Sequence, residues 1–128
     1  MEASITLKKV GKIIGDKTIL AGLSFGIERG SLVAIVGLND SGKSVLLKLL
    51  SGYENPNYGQ VFIQGLDMEK RRSDTRQLLG YVSYENDLDP WLTLEQNIRF
   101  NANLYSVGSE TYKERINKYS SALNLKPY

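Results

Sequence analysis

An α/β fold is the class this sequence predicts, and three features of its hydrophobic patterning predict it. Near the start, apolar residues alternate with polar ones, as in strands half covered by a core. Residues 32–36 (Leu-Val-Ala-Ile-Val) are then continuously apolar and rich in β-branched side chains, the pattern of a central strand covered on both faces. Residues 45–50 are then apolar on nearly every side, as in a buried helix, and the last third reads as helix.

The elements follow in order. Ala3, Ile5 and Leu7 alternate with Ser4, Thr6 and Lys8 and predict a first strand. Gly11, Gly15 and Asp16 mark a turn across residues 11–18. Leu23, Phe25 and Ile27 alternate with Ser24, Gly26 and Glu28 and predict a second strand, closed by a tight turn at residues 28–30. Residues 32–36 are the central strand. Residues 45–50 are apolar on nearly every side and predict a buried helix, with Gly52 as its C-terminal cap. Asn-Pro-Asn-Tyr-Gly at 55–59 is a loop, and residues 61–63 are a short strand ended by Gly65. Residues 67–79 are charged and helical in pattern, and residues 80–84 (Gly-Tyr-Val-Ser-Tyr) read as another strand.

In the last third, Thr93 with Gln96 makes a capping-box pattern. Leu94, Ile98 and Tyr105 share one helix face, and Ser109 caps a further helix with Tyr112, Ile116, Tyr119 and Leu123 facing inward. Glu114 and Lys118 stand four apart on its outer side, the favoured order for a weak ion pair. Core packing is the ordinary meaning of such stripes.

Composition narrows the function. The chain has 128 residues, about one small domain, with 41% hydrophobic and 23% charged residues. A net charge of +2 is too slight to point to nucleic acid. Without cysteine or histidine, disulfides, thiolate metal sites and imidazole chemistry are excluded within the chain. No apolar run approaches the roughly 18–20 residues that span a bilayer. The N-terminal residues lack the apolar core of a signal peptide, so the expected compartment is the cytosol.

The chemistry lies between the central strand and the helix, where Gly37-x-x-x-x-Gly42-Lys43-Ser44 stands. A polyphosphate crowds negative charge, and a chain holds it with backbone N–H groups, a helix N-terminus and a fixed cation. Gly37 allows the sharp turn out of the strand, and Leu38, Asn39, Asp40 and Ser41 form the loop. Gly42 leaves room for close approach, Lys43 reaches the β and γ phosphates, and Ser44 offers a hydroxyl to Mg²⁺ at the head of the helix, followed by Val45. The alternative is a Gly-rich loop that merely turns the chain. The strand before and the helix after are the context the phosphate-binding motif requires.

These residues, with "LLKLLSGYENPNYGQVFIQG" and "LGYVSYENDLDPWLTLEQNIRFNANLY" at the appropriate spacing, resemble the N-terminal half of an ABC-type ATPase domain, from about residue 5 to residue 126. The resemblance implies a P-loop NTPase fold of ABC type: an antiparallel β subdomain, an α/β core, and the start of a helical subdomain. The expected division is one partial domain, with the β subdomain and core over about 1–90 and the helical start over about 91–128. It also implies ATP and Mg²⁺ as ligands. The implied partners are a second ABC domain and a membrane permease, and the implied place is the cytoplasmic face of a membrane. The run at 98–107 resembles exporter-type members more than importers. The resemblance implies that residues 84–94, with Trp91, face the permease; the reading preferred for Trp91 itself is a hydrophobic staple at the head of the Thr93 helix.

Three departures from the family pattern bear on activity. The aromatic that stacks on adenine is replaced by Ile14, and the glutamine that approaches Mg²⁺ is replaced by Tyr84. The family's signature motif, second phosphate motif and catalytic glutamate come later than residue 128, so the chain reads as a partial domain that binds nucleotide without turning it over. A second reading is a degenerate or scaffolding half-site of an ABC pair. A third, a kinase or GTPase, lacks its guanine-reading Asn-Lys-x-Asp: Asn117-Lys118 continues as Tyr119-Ser120.

Overall fold

A computed structural model describes residues 3–84 and 88–125. Glu85, Asn86 and Asp87 of the second quoted run, and the Lys-Pro-Tyr end at 126–128, lie outside the described residues. The chain forms two compact units, one up to Val82 and one from Ser83 on.

The first unit is built on an antiparallel sheet of β1 (Ala3–Ile14), β2 (Lys17–Glu28), β3 (Tyr58–Ile63) and β4 (Leu66–Asp67), in the order β2-β1-β3-β4. The first two strands are longer than the alternating pattern alone predicts. They meet at a two-residue turn, Gly15 and Asp16, with Ile14 opposite Lys17. Gly15 at φ 58 supplies the left-handed backbone that such a turn needs. Residues 11–14, expected in the turn, are therefore strand.

A bulge at Lys9 (φ 49) shifts the register between Leu7 opposite Phe25 and Val10 opposite Leu23. The hydroxyl of Ser24 accepts the Lys9 N–H at 2.9 Å. The loop before β3 is tied to β1 by Asn57, whose N–H donates to Gly11 O at 2.9 Å and whose Oδ1 accepts from Ile13 N at 2.9 Å. Lys12 completes the tie with Glu54 at 3.0 Å and Asn55 O at 2.8 Å.

Helix α1 (Lys43–Leu50) lays Leu46, Leu49 and Leu50 into a core with Leu7, Val10, Leu20, Val61, Ile63 and Met68. Burial is one-sided rather than all round, since Leu47 is exposed. The helix ends as predicted at Gly52, which takes φ 70. Gly52 N donates to Leu49 O at 3.2 Å and Tyr53 N to Lys48 O at 2.9 Å, the paired bonds of a Schellman end. The predicted helix at 67–79 is shorter: β4 takes Asp67, and α2 spans Arg72–Gln77. Arg72 and Arg76 both donate to Gly52 O, at 3.0 and 3.3 Å, fastening α2 to the end of α1.

Two expected strands do not form. Residues 32–36 are irregular, with Leu32 102% and Val36 90% exposed, and residues 80–84 carry no strand either. A strand exists only as one side of a ladder. Among the described residues no segment pairs with either run.

The second unit holds α3 (Leu94–Leu104) and α4 (Ser109–Ala122). The capping box forms: Gln96 N donates to Thr93 Oγ1 at 3.2 Å and Thr93 N to Gln96 Oε1 at 2.8 Å. Gly108, not Ser109, is the cap of α4. The expected inner faces are only partly covered, for Leu94, Tyr105, Tyr119 and Leu123 are exposed. Glu114 and Lys118 do not pair among the described residues; the i,i+4 ion pair is Glu95 with Arg99 on α3, at 2.8 Å. The only buried residue of α3 is a polar one, Asn97.

Candidate functional site

The loop from Gly37 to Gly42 turns the chain from the apolar run into α1. Its backbone needs left-handed geometry twice, at Asp40 (φ 61) and Gly42 (φ 87). Glycine at 42 is required for a second reason. A Cβ there would stand 3.0 Å from Ile19 Cγ2, 3.0 Å from Leu20 Cδ2 and 3.3 Å from Ile19 O. The loop thus rests directly on β2, a backing the sequence pattern does not reveal. Gly37 is confined as well, since a Cβ there would meet Ser41 Oγ at 2.7 Å.

Lys43 closes the loop on itself. Its ammonium donates to Gly37 O at 2.8 Å and Leu38 O at 2.5 Å, with Ser41 Oγ at 3.4 Å. The side chain therefore folds back across the loop and fixes a positive charge beside its backbone. Ser41 N donates to Leu38 O at 3.3 Å, which tightens the turn.

Helix α1 begins at Lys43 with Gly42 as its cap and no side-chain capping bond, and it carries no acidic residue in its first turn. Leu46 N is the first amide bonded back into the helix, to Gly42 O at 2.8 Å. The N–H groups of Gly42, Lys43, Ser44 and Val45 have no protein acceptor among the described residues. Four open donors, the positive end of a helix and a fixed ammonium together suit an anion with several oxygens.

The loop residues foreseen from sequence — Gly37, Leu38, Asn39, Asp40, Ser41, Gly42, Lys43, Ser44 and Val45 — are thus one contiguous feature of the first unit. Ser44 is exposed on the first turn of α1. Its hydroxyl is a hard oxygen donor of the kind a Mg²⁺ takes. No group of three or more His, Cys, Asp or Glu able to hold a metal occurs among the described residues. Ile14 lies at the end of β1, 50% exposed. Tyr84 belongs to the second unit and is fully exposed.

Trp91 is not a staple. It is 91% exposed, and its backbone N–H donates to Asp89 Oδ1 at 2.9 Å. The fourth residue of α3, where a staple partner would stand, is Asn97. Sequence reasoning passed over Asn97. The available signal was a carboxamide at a position where an amphipathic helix ordinarily buries an apolar residue.

Comparison with known proteins agrees with this geometry. The sequence profile described as ABC transporter matches residues 20–128. A probable multidrug ABC transporter ATP-binding protein of Escherichia coli is 33% identical over 125 residues, covering 98% of this chain and 22% of that protein. A probable sulfate/thiosulfate import ATP-binding protein of Chlorella vulgaris is 30% identical, covering 98% and 52%. An Fe(3+) ions import ATP-binding protein of Vibrio cholerae is 30% identical, covering 94% and 34%. Among solved structures, the ATP-binding subunit of an ABC transporter superposes with a TM-score of 0.86 at 26% identity, over 96% of this chain and 51% of that one. A dimeric ATP-binding cassette bound to ADP and Pi shares the fold, with a TM-score of 0.75 at 24% identity over 89% and 54%. The chain spans about half or less of the length of each of these proteins. The relatives include importers as well as a multidrug protein, so kinship does not select a direction of transport.

Proposed function

The chain belongs to the ABC transporter family of ATP-binding proteins, and on that premise we propose that residues 37–45 hold Mg-ATP for a subunit that powers a membrane permease. The observation that carries the reading is the Lys43 ammonium, held 2.8 and 2.5 Å from two loop carbonyls beside four open amide donors. The amides of Gly42, Lys43, Ser44 and Val45 receive phosphate oxygens, and Lys43 neutralises charge on the terminal phosphates. Ser44 gives its hydroxyl to the Mg²⁺ that accompanies the nucleotide, which draws charge from the phosphates. Ile14 packs its aliphatic face on the adenine. Tyr84 stands at the position where the family carries its glutamine.

No residue of this chain is assigned as catalytic, so the 128 residues bind nucleotide and do not turn it over. The subunit works as one of a pair of like domains, at the cytoplasmic face of the membrane. No helix of the described residues is long and apolar enough to cross a membrane, so the membrane contact in this reading is with a permease. Export is the direction we assign, from the run at 98–107, and uptake by inside-out vesicles is the assay for it.

Titration with a fluorescent ATP analogue and Mg²⁺ tests the central claim. Binding should be saturable, and Lys43→Ala should weaken it by at least about tenfold, since charge-assisted hydrogen bonds are worth roughly 1.5–3 kcal/mol. An unchanged isotherm in that variant refutes the site. A phosphate-release assay tests the rest: Lys43-dependent turnover by this chain alone overturns the non-hydrolysing assignment.

A second reading, a weakened half-site within a pair, is favoured by one specific observation. Ile14 stands where the family carries its adenine-stacking aromatic and Tyr84 where it carries the glutamine that approaches Mg²⁺, and both are exposed. Tyr84→Gln in a hydrolysing pair should raise ATPase activity under this reading; no change counts against it.

A further inference from the structure

We propose that the carboxylate of Asp40 makes the phosphate loop selective for a polyphosphate complexed with a divalent cation over the same polyphosphate without one. The inference deepens the reading above, because it rests on residues 37–45 holding the nucleotide.

Asp40 sits in the middle of the loop at a left-handed backbone position, φ 61. Glycine fills such a position without steric cost, so the turn itself does not call for a carboxylate. Aspartate is tolerated there where its short side chain bonds to nearby backbone. Two other aspartates of this chain do make such local bonds. Asp67 Oδ1 accepts from Glu69 N at 3.0 Å, and Asp89 Oδ1 accepts from Trp91 N at 2.9 Å. Asp74 pairs instead with Arg71 at 2.6 Å. Asp40 is exposed and makes neither a hydrogen bond through its carboxylate nor an ion pair among the described residues. The neighbouring cation, Lys43, gives its ammonium to Gly37 O and Leu38 O rather than to this carboxylate.

Asp40 is also the one acidic residue between Glu28 and Glu54, and the first turn of α1 holds none. The loop therefore presents a single unpaired negative charge close to donors that attract anions. Three residues of chain reach at most about 11 Å, so the Asp40 backbone stays within roughly that distance of Lys43. That is about one Debye length at 0.1 M salt, and a polyphosphate seated on the loop feels the charge. The repulsion grows with the net charge of the ligand. A divalent cation cancels part of that net charge. The carboxylate thus opposes the cation-free ligand more than the complexed one, while Lys43 and the amides of residues 42–45 attract both.

Titration with a fluorescent ATP analogue at low salt, once in Mg²⁺ and once in EDTA, tests this. Asp40→Asn keeps the side-chain shape and the tolerance of left-handed backbone, and removes the charge. It should tighten binding by roughly tenfold in EDTA and by about threefold in Mg²⁺, the scale of a unit charge acting over several ångströms at a protein surface. Asp40→Gly should do the same. At 1 M salt, where the Debye length is about 3 Å, the variants and the unmodified chain should converge. Inorganic tripolyphosphate, which has no base, should displace the analogue with the same pattern.

An unchanged ratio of Mg²⁺ to EDTA affinity in Asp40→Asn overturns the proposal. So does a change that survives 1 M salt, which marks a backbone effect. Weaker binding confined to Mg²⁺ also overturns it, since the carboxylate would then hold the cation rather than repel the phosphates. Each of these results leaves the nucleotide site standing as long as Lys43→Ala still weakens the analogue. No binding by the unmodified chain in either condition removes the site and this proposal together.

Discussion

Gly42 carries two demands at once. Its φ of 87 costs an L-residue about 1–2 kcal/mol, and the space where a Cβ would go is bounded by Ile19 and Leu20, one of the contacts being backbone. Gly42→Ala should therefore lower the melting temperature and also open the amide cluster at the head of α1. Thermal melts and ATP-analogue titration of the same preparation check both effects. A variant that melts normally and binds normally would show that the loop tolerates another path. Ile14 is the complementary case, where gain is expected. Base-on-aromatic stacking contributes about 1–3 kcal/mol in nucleic-acid binders. Ile14→Tyr should thus tighten adenine-nucleotide binding by roughly 5- to 150-fold if the base lies over β1's end, and it should leave the affinity for inorganic triphosphate unchanged.

The ends of elements, where chemistry is local, were the most legible features of the sequence. Gly52 was readable as a helix stop because a left-handed residue after an apolar helix is a requirement of a few adjacent atoms. Thr93 and Gln96 were readable for the same reason, and both halves of their box form. Thr93→Ala should cost about 1 kcal/mol, within a usual range of roughly 0.5–2, as measured by urea denaturation followed at 222 nm. The segment from Gly37 to Val45 is equally local, running from the loop into the first turn of α1. Residues 32–36 and 80–84 show the opposite behaviour. Their composition is that of buried strands, yet strand formation depends on partners elsewhere, and none of the described residues supplies them. Asn97 stayed hidden because its value lies in a loop four to eight residues upstream, which periodicity does not register.

For the whole molecule, those exposed runs have a consequence in solution. Leu32, Val36 and Val82 are almost entirely exposed, and each forgoes about 1.5–3 kcal/mol that full burial of such a side chain would provide. Among the described residues no strand pairs with residues 32–36, which makes that run a template for pairing with another chain. A net charge of +2 gives little repulsion to oppose that. The 128-residue chain should therefore bind an apolar dye such as anilinonaphthalene sulfonate and associate as its concentration rises. The double variant Leu32→Lys, Val82→Lys leaves the phosphate loop untouched. It should shift sedimentation toward the monomer, reduce dye fluorescence, and keep ATP-analogue affinity within about twofold, the range usual for surface changes. A monomeric, dye-silent unmodified chain would show that these runs find cover within the 128 residues themselves.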